Sequence, residues 1–240
     1  GVNFYPVKIM DFEYLDLFYR IFTYPKNYIP NVTIIKMSYL KYFLYIVQPS
    51  INLNGSEAKD SLIKFLQHCT RQKNVSLNIE LKSEQLSLEN LKVIITVGDV
   101  NFTEEDFENI REIVLEQNGT TIDYVEAYNP ELEKRMALIN RGADGITFKD
   151  EIFIFCSLTN KIVSDLKDYT LFQFKAHFER MTILSEFNLY KPLEASGQIK
   201  LENGEKIMHY LSGIKNVGRY GGILMNKEDF LQKGDVLTSQ

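Results

Sequence analysis

The sequence predicts an α+β protein, mostly helical, with a small antiparallel sheet in its N-terminal half. Three observations carry this. Apolar residues recur at three- and four-residue spacing over much of the chain, and Val75, Leu77, Ile79 and Leu81 alternate strictly with polar residues. Capping residues also precede several of the periodic runs.

Taken in order, the opening YPVKI reads as a short strand with Val7 and Ile9 on one face and Lys8 on the other. Asp11 can cap a helix over 12–23, whose Phe12, Leu15, Phe18, Tyr19 and Phe22 form a stripe. Tyr24-Pro25 ends it, because the residue before proline avoids the helical region. A second helix is expected over 37–47, stopping at Pro49. A third is expected from about 57 to 70 behind Ser56, with Leu62, Phe65, Leu66 and Cys69 facing inward. The alternating run gives a half-buried strand. Lys92 to Val97 reads as a second, fully buried one, reached through a polar connection at 83–91.

Thr103-Glu104-Glu105-Asp106 has the form of a capping box, with its carboxylates set against a helix N-terminus. That helix runs to Gln117 and closes on a left-handed cap at Asn118-Gly119. Pro130, at a first helical position, starts the next helix, which closes near Gly142. Residues 147–161, TFKDEIFIFCSLTNK, suit a strand by their aromatic and β-branched content and a helix by the Thr147/Asp150 cap; their length favours the helix. Thr170 opens a long helix carrying Leu171, Phe174, Phe178, Met181 and Leu184, expected to be a central core helix to about Glu186. A further helix or a helical continuation is expected to Ala195, with Gly197 ending the region. A short strand at 198–202, a glycine-rich turn and a polar tail from Met225 complete the reading. The Asn140–Thr147 loop, with Gly142 and Gly145, divides an α+β lobe (1–142) from a helical lobe with a polar C-terminal tail (143–240). One domain with two lobes is an equal alternative.

Composition narrows the function classes. A net charge of −5 repels polyanions, and Lys36, Lys41, Lys64, Arg71 and Lys73 are spread among apolar residues, so nucleic acid is not an expected partner. Two cysteines, Cys69 and Cys156, make no disulfide framework and suit a reducing compartment. No basic leader precedes an apolar run, and Tyr42-Phe43-Leu44-Tyr45-Ile46-Val47 is far below the roughly 20 residues that span a bilayer. The expectation is a cytoplasmic protein without a membrane partner.

No residue is assigned a catalytic, cofactor-binding or metal-ligating role, and no cofactor is expected. His68, His177 and His209 lie in no metal-site spacing. His68 and Cys69, as helix neighbours, diverge, and His177 fits a half-buried structural position. The acidic groups Glu104-Glu105-Asp106, Glu131 with Glu133, and Asp150-Glu151 all lie at helix starts, where the helix dipole accounts for them. Glu131-Leu132-Glu133-Lys134 offers the acid-x-Lys element of a metal-dependent nuclease, but on a helix rather than a strand. Gly218, Gly221 and Gly222 lack the strand and helix of a phosphate loop. The positive signal is tyrosine: Tyr14, Tyr19, Tyr24 and Tyr28 crowd the first helix and its exit, and Tyr39, Tyr42 and Tyr45 recur on the second. Such rings suit an interface or line a core, and the sequence weighs the two equally.

Two segments carry a resemblance. FTEEDFENIREIVLEQNG with NPELEKRMALINR, and SDLKDYTLFQFKAHFERMTILSEFNLYKPLEASGQI ending near IMHYL, resemble uncharacterised structural or assembly proteins from the tail-gene clusters of phages of low-GC Gram-positive bacteria. The likeness spans residues 102–210 and departs from the pattern at 142–161, where IFIFC replaces a more polar helix. It implies a non-enzymatic role in morphogenesis, as a tail or baseplate component or as an assembly chaperone. The implied partners are other phage tail or baseplate proteins, with self-association as a further contact. The implied location is the host cytoplasm or the virion tail. No site residue carries over. The alternatives are a small phage-encoded metal-dependent nuclease and an inhibitor of a host protein.

Overall fold

The computed structural model describes residues 1–47, 55–81, 90–139, 145–199, 207–212 and 219. The fold is α+β and mostly helical, with a three-stranded antiparallel sheet in the N-terminal half. Helix α1 spans Phe12–Phe22 and buries Leu15, Leu17, Phe18, Ile21 and Phe22. Phe12, expected in its stripe, is 54% exposed. Asp11 stands at the N-cap without a side-chain capping bond. Its carboxylate instead lies 3.4 Å from His68 Nε2, and the His68 ring stacks on Tyr14 at 3.7 Å. Burial holds the His68 pKa below its ordinary value, and Asp11 opposes that shift.

After a 3-10 turn at Lys26–Tyr28 come two short helices, α2 (Val32–Lys36) and α3 (Tyr39–Tyr42), the latter continuing as a π-helical turn over Phe43–Val47. Their caps are local and legible: Asn31 accepts from the amides of Thr33 and Ile34, and Ser38 from that of Lys41. Helix α4 (Gly55–Thr70) buries Leu62, Phe65, Leu66 and Cys69, as the stripe predicts.

Strands β1 (Val75–Leu81) and β2 (Leu91–Val97) pair antiparallel with Leu77 opposite Ile95 and Ile79 opposite Val93. Directly opposed residues share a face, so Leu77, Val93, Ile95 and Val97 reach the core together. β2 is therefore half-buried by alternation and not fully buried; the expected all-buried strand confused composition with period. The third strand, β3 (Val100–Phe102), follows a two-residue turn at Gly98-Asp99. Gly98 has φ +60°, which a side chain at this tight hairpin would oppose.

Helix α5 (Glu104–Gln117) opens on the Thr103/Asp106 capping box and ends at Gly119, φ +74°. Then come α6 (Ile122–Glu126), α7 (Pro130–Ile139), α8 (Phe148–Thr159) and α9 (Leu171–Ala195). α8 is a helix, capped by Thr147 and Asp150, and α9 is one unbroken helix whose Thr170/Gln173 box fixes its start. The expected end of α7 near Gly142 lies outside the described residues. So do the connection at 83–89, most of the strand at 198–202, and the C-terminal tail; Gln198 and Ile199 are not strand.

Phe22 centres the core, with Phe65 at 4.9 Å and Phe107 at 5.9 Å. The segment before α1 runs through the molecule as a strap. Its Tyr5 amide donates to the Cys69 carbonyl (2.7 Å) and its Val7 amide to Asn118 Oδ1 (3.0 Å). Lys8 pairs with Thr170 in a single antiparallel bridge, flanked by Ile9 N–H to Tyr169 O and Leu171 N–H to Val7 O, each 3.0 Å. The alternation of buried Val7 and Ile9 is as predicted, but no strand forms, because its partner turns at once into α9.

The expected central core helix also fails. Only Leu171 and Phe174 of α9 are buried; Phe178 and Met181 are half-buried, and Leu184 is exposed. The first two turns dock on α8, where Phe174 meets Phe148 at 5.6 Å and Phe155 at 5.3 Å. Beyond them the helix carries apolar side chains on all sides and most of its surface meets solvent. His177 is likewise exposed rather than half-buried.

Candidate tyrosine-lined cleft

Two sets of tyrosines build this region, while Tyr14 stacks on His68 and Tyr45 packs part-buried against the core elsewhere. Tyr39 and Tyr42 are fully buried, their hydroxyls donating to the carbonyls of Tyr24 (3.1 Å) and Pro25 (2.9 Å). These two rings buttress the α1 exit from beneath. Desolvation raises both phenol pKa values well above their ordinary 10.0. The second set, Tyr19, Tyr24, Tyr28, Tyr124 and Tyr128, is half-buried or exposed and lines a cleft of about 430 Å³.

One wall of the cleft is the end of α1 and its proline turn, giving Tyr19, Tyr24 and Tyr28. The other is the stretch through α6, giving Tyr124 and Tyr128. Tyr28 bridges them, with its ring 5.5 Å from Tyr24 and 5.6 Å from Tyr128. Asn27 holds the walls in register, its amide donating to the carbonyls of Glu126 (3.1 Å) and Tyr128. Burial raises the pKa values of Tyr19, Tyr24 and Tyr128, so all three are neutral hydrogen-bonding phenols at neutral pH.

Two cations complete the rim. Lys175 of α9 sits 5.7 Å from the Tyr19 ring; burial lowers its pKa and nearby Glu151 opposes that. Arg219 places its guanidinium 5.4 Å from the Tyr124 ring and 5.2 Å from Tyr128, and its Nε 2.5 Å from Glu133. The cleft thus offers flat rings, phenol hydroxyls and an acid-anchored guanidinium position.

Beneath it lies a residue the sequence reading missed. Arg111 is 1% exposed, with its guanidinium carbon over the Tyr39 ring at 3.5 Å from the centroid. Its Nε donates to the Phe22 carbonyl (3.2 Å) and one terminal nitrogen to Glu126 (3.1 Å), while Nη2 has no hydrogen-bond partner among the described residues. A signal was present: Arg111 falls within the stripe Phe107, Ile110, Val114, Leu115, so the period alone placed it inward.

The acidic groups do not meet. Glu104 accepts from Ser38 and the Val93 amide and pairs with Lys41 at 3.2 Å, fastening α5 to α3 and the sheet. Asp106 and Asp150 are caps, and Glu133 serves Arg219. Among the described residues no three His, Cys, Asp or Glu side chains converge for a metal ion. Of the candidate basic residues, Lys41 pairs with Glu104, Lys64 with Glu13, and Arg71 covers the Tyr5 ring. No helix among the described residues is long and apolar enough to cross a membrane.

The class these features define is a mostly helical α+β protein carrying an aromatic cleft. Residues 140–215, about a third of the chain, match the family described as YomV second domain, a phage-type domain. That stretch contains α8 and α9. No curated protein and no solved structure matches the chain.

Proposed function

We propose that this is a phage protein that works without catalysis, through protein–protein contacts, in building or holding the tail or baseplate. One observation carries the reading: exposed large apolar side chains are concentrated in the stretch similar to the phage-type domain. Phe153, Leu158 and Ile162 on and after α8, and Leu184, Leu189 and Tyr190 on α9, are 40–67% exposed. Scattered single apolar residues are ordinary on a surface. Beyond its first turns α9 is only partly covered among the described residues: Phe178 and Met181 pack half-buried against the core and Phe187 meets His209 (4.9 Å) and Tyr210 (5.4 Å), while Leu184, Leu189 and Tyr190 stay exposed.

Affinity purification of the tagged chain from phage-producing cells tests this. Recovery of phage tail or baseplate proteins is expected. Recovery of a host protein alone would overturn the assembly role and favour an inhibitor.

A further inference from the structure

We propose that the Lys175 end of the tyrosine-lined cleft binds a small aromatic acid, with its carboxylate on the Lys175 ammonium and its ring against the tyrosine wall. A half-buried cation without a partner carries this. Lys175 lines the cleft 5.7 Å from the Tyr19 ring, yet among the described residues its Nζ has no hydrogen bond and no ion pair. Lys8, Lys41, Lys64 and Lys191 each have a carboxylate. Glu151 is near enough to act on the Lys175 charge but forms no bridge with it, and burial holds the Lys175 pKa below its ordinary value. A cation short of both water and a counter-ion gains more from an incoming anion than a solvated one does. Its placement is fixed by packing. A side chain at Gly119 would stand 3.7 Å from Lys175 Cδ, so the stem runs beside the exit of α5. The next residue, Thr120, lines the same cleft, and its hydroxyl can donate to the second oxygen of a carboxylate.

The cleft sets the rest of the ligand. Its volume of about 430 Å³ is that of a small-molecule site, where rings give contact area and a few polar groups fix orientation. Tyr24 and Tyr28 meet edge to face at 5.5 Å, an arrangement that offers ring faces and edges to a further planar group. Charge limits the anion to a single negative charge. Arg219 is engaged by Glu133, and Glu151 lies near Lys175, so a phosphate dianion would meet two carboxylates for one open cation. The Tyr19 and Tyr24 phenols stay protonated at neutral pH and add donors without adding charge. Arg219 remains on Glu133 throughout, and the site does not depend on the assembly role proposed above.

The chain has no tryptophan, so an indole probe can be read selectively against its tyrosines. N-acetyltryptophan is titrated into the unaltered full chain and followed by indole fluorescence anisotropy. Saturable binding is expected, about tenfold or more tighter than for N-acetyltryptophanamide, which keeps the ring and lacks the charge. Lys175→Met should weaken it by about the same factor, with circular dichroism confirming the fold. Glu151→Gln should hold or tighten binding by removing the competing carboxylate. A short peptide ending in tryptophan with a free carboxylate should bind no tighter than the free acid. No saturable binding of N-acetyltryptophan overturns the proposal, as does equal affinity for acid and amide, a comparison that needs no variant. Undiminished binding to a folded Lys175→Met chain, or loss of binding in a folded Glu151→Gln chain, does the same. Binding of the peptide alone would also overturn it, by assigning the cleft to a chain terminus.

Discussion

Arg111 shows how much one side chain can organise. It joins the end of α1, the α3 ring Tyr39 and the α6 carboxylate Glu126, and it does so with almost no exposure to water. Replacement by alanine would strand the Phe22 carbonyl, uncover Tyr39 and leave a cavity. Arg111→Ala should therefore cost about 3–5 kcal/mol in urea denaturation. Arg111→Lys should recover little of that, since an ammonium cannot stack and bond as the guanidinium does. A loss below about 1 kcal/mol for the alanine variant would contradict its structural role. The phenols make a second prediction. Tyr39 and Tyr42 have folded pKa values raised above the ordinary 10.0, chiefly by burial. A raised acid pKa means the folded chain holds its protons longer, so this stability is complete below pH 10 and is lost as pH climbs beyond it. Urea midpoints should fall steeply above about pH 10, and phenolate absorbance of the buried rings should appear only with unfolding. Flat midpoints between pH 9 and 12, with free titration of every tyrosine, would refute the buried assignment.

At the scale of elements, the sequence was legible at most of the places where structure is decided locally. The Thr103/Asp106 and Thr147/Asp150 boxes, Pro130 and the Asn118-Gly119 stop all act within four residues, and each stands where it was read. The hairpin at Gly98-Asp99 was equally local but passed unread, since three-residue β3 has no pattern of its own. What could not be read is which part of a helix meets a neighbour. Phe174 and Phe178 occupy the same stripe of α9, yet the first is buried between Phe148 and Phe155 and the second only half-covered. Phe174→Ala should thus cost about 3–5 kcal/mol and Phe178→Ala about 1–2 kcal/mol by chemical denaturation. Equal losses would restore α9 as a core helix and remove the case for its unfilled face.

For the whole molecule, the N-terminal strap was half legible. The burial of Val7 and Ile9 follows from alternation, but their partners Cys69, Asn118 and Tyr169–Leu171 are chosen by topology, and most of those bonds are backbone bonds that any sequence could make. The cleft was legible only as an excess of tyrosine. The sequence weighed core and interface equally, and the fold uses both, with Tyr39 and Tyr42 inside and Tyr28 and Tyr124 at the surface. The strap bridges to Tyr169–Leu171, so the N-terminal part supports the stretch that resembles a phage-type domain and leaves its apolar side chains facing outward. We propose that those side chains serve assembly. Phe153→Gln, Leu158→Gln and Leu189→Gln together test it, because glutamine keeps the helices while removing the apolar surface, at little cost to stability. On the proposed phage role, the triple variant introduced at the native locus, with particles scored by electron microscopy, should stay folded and yield tail-defective particles at sharply reduced titre. Normally tailed, fully infectious particles from a stably folded triple variant would rule out that role for these side chains.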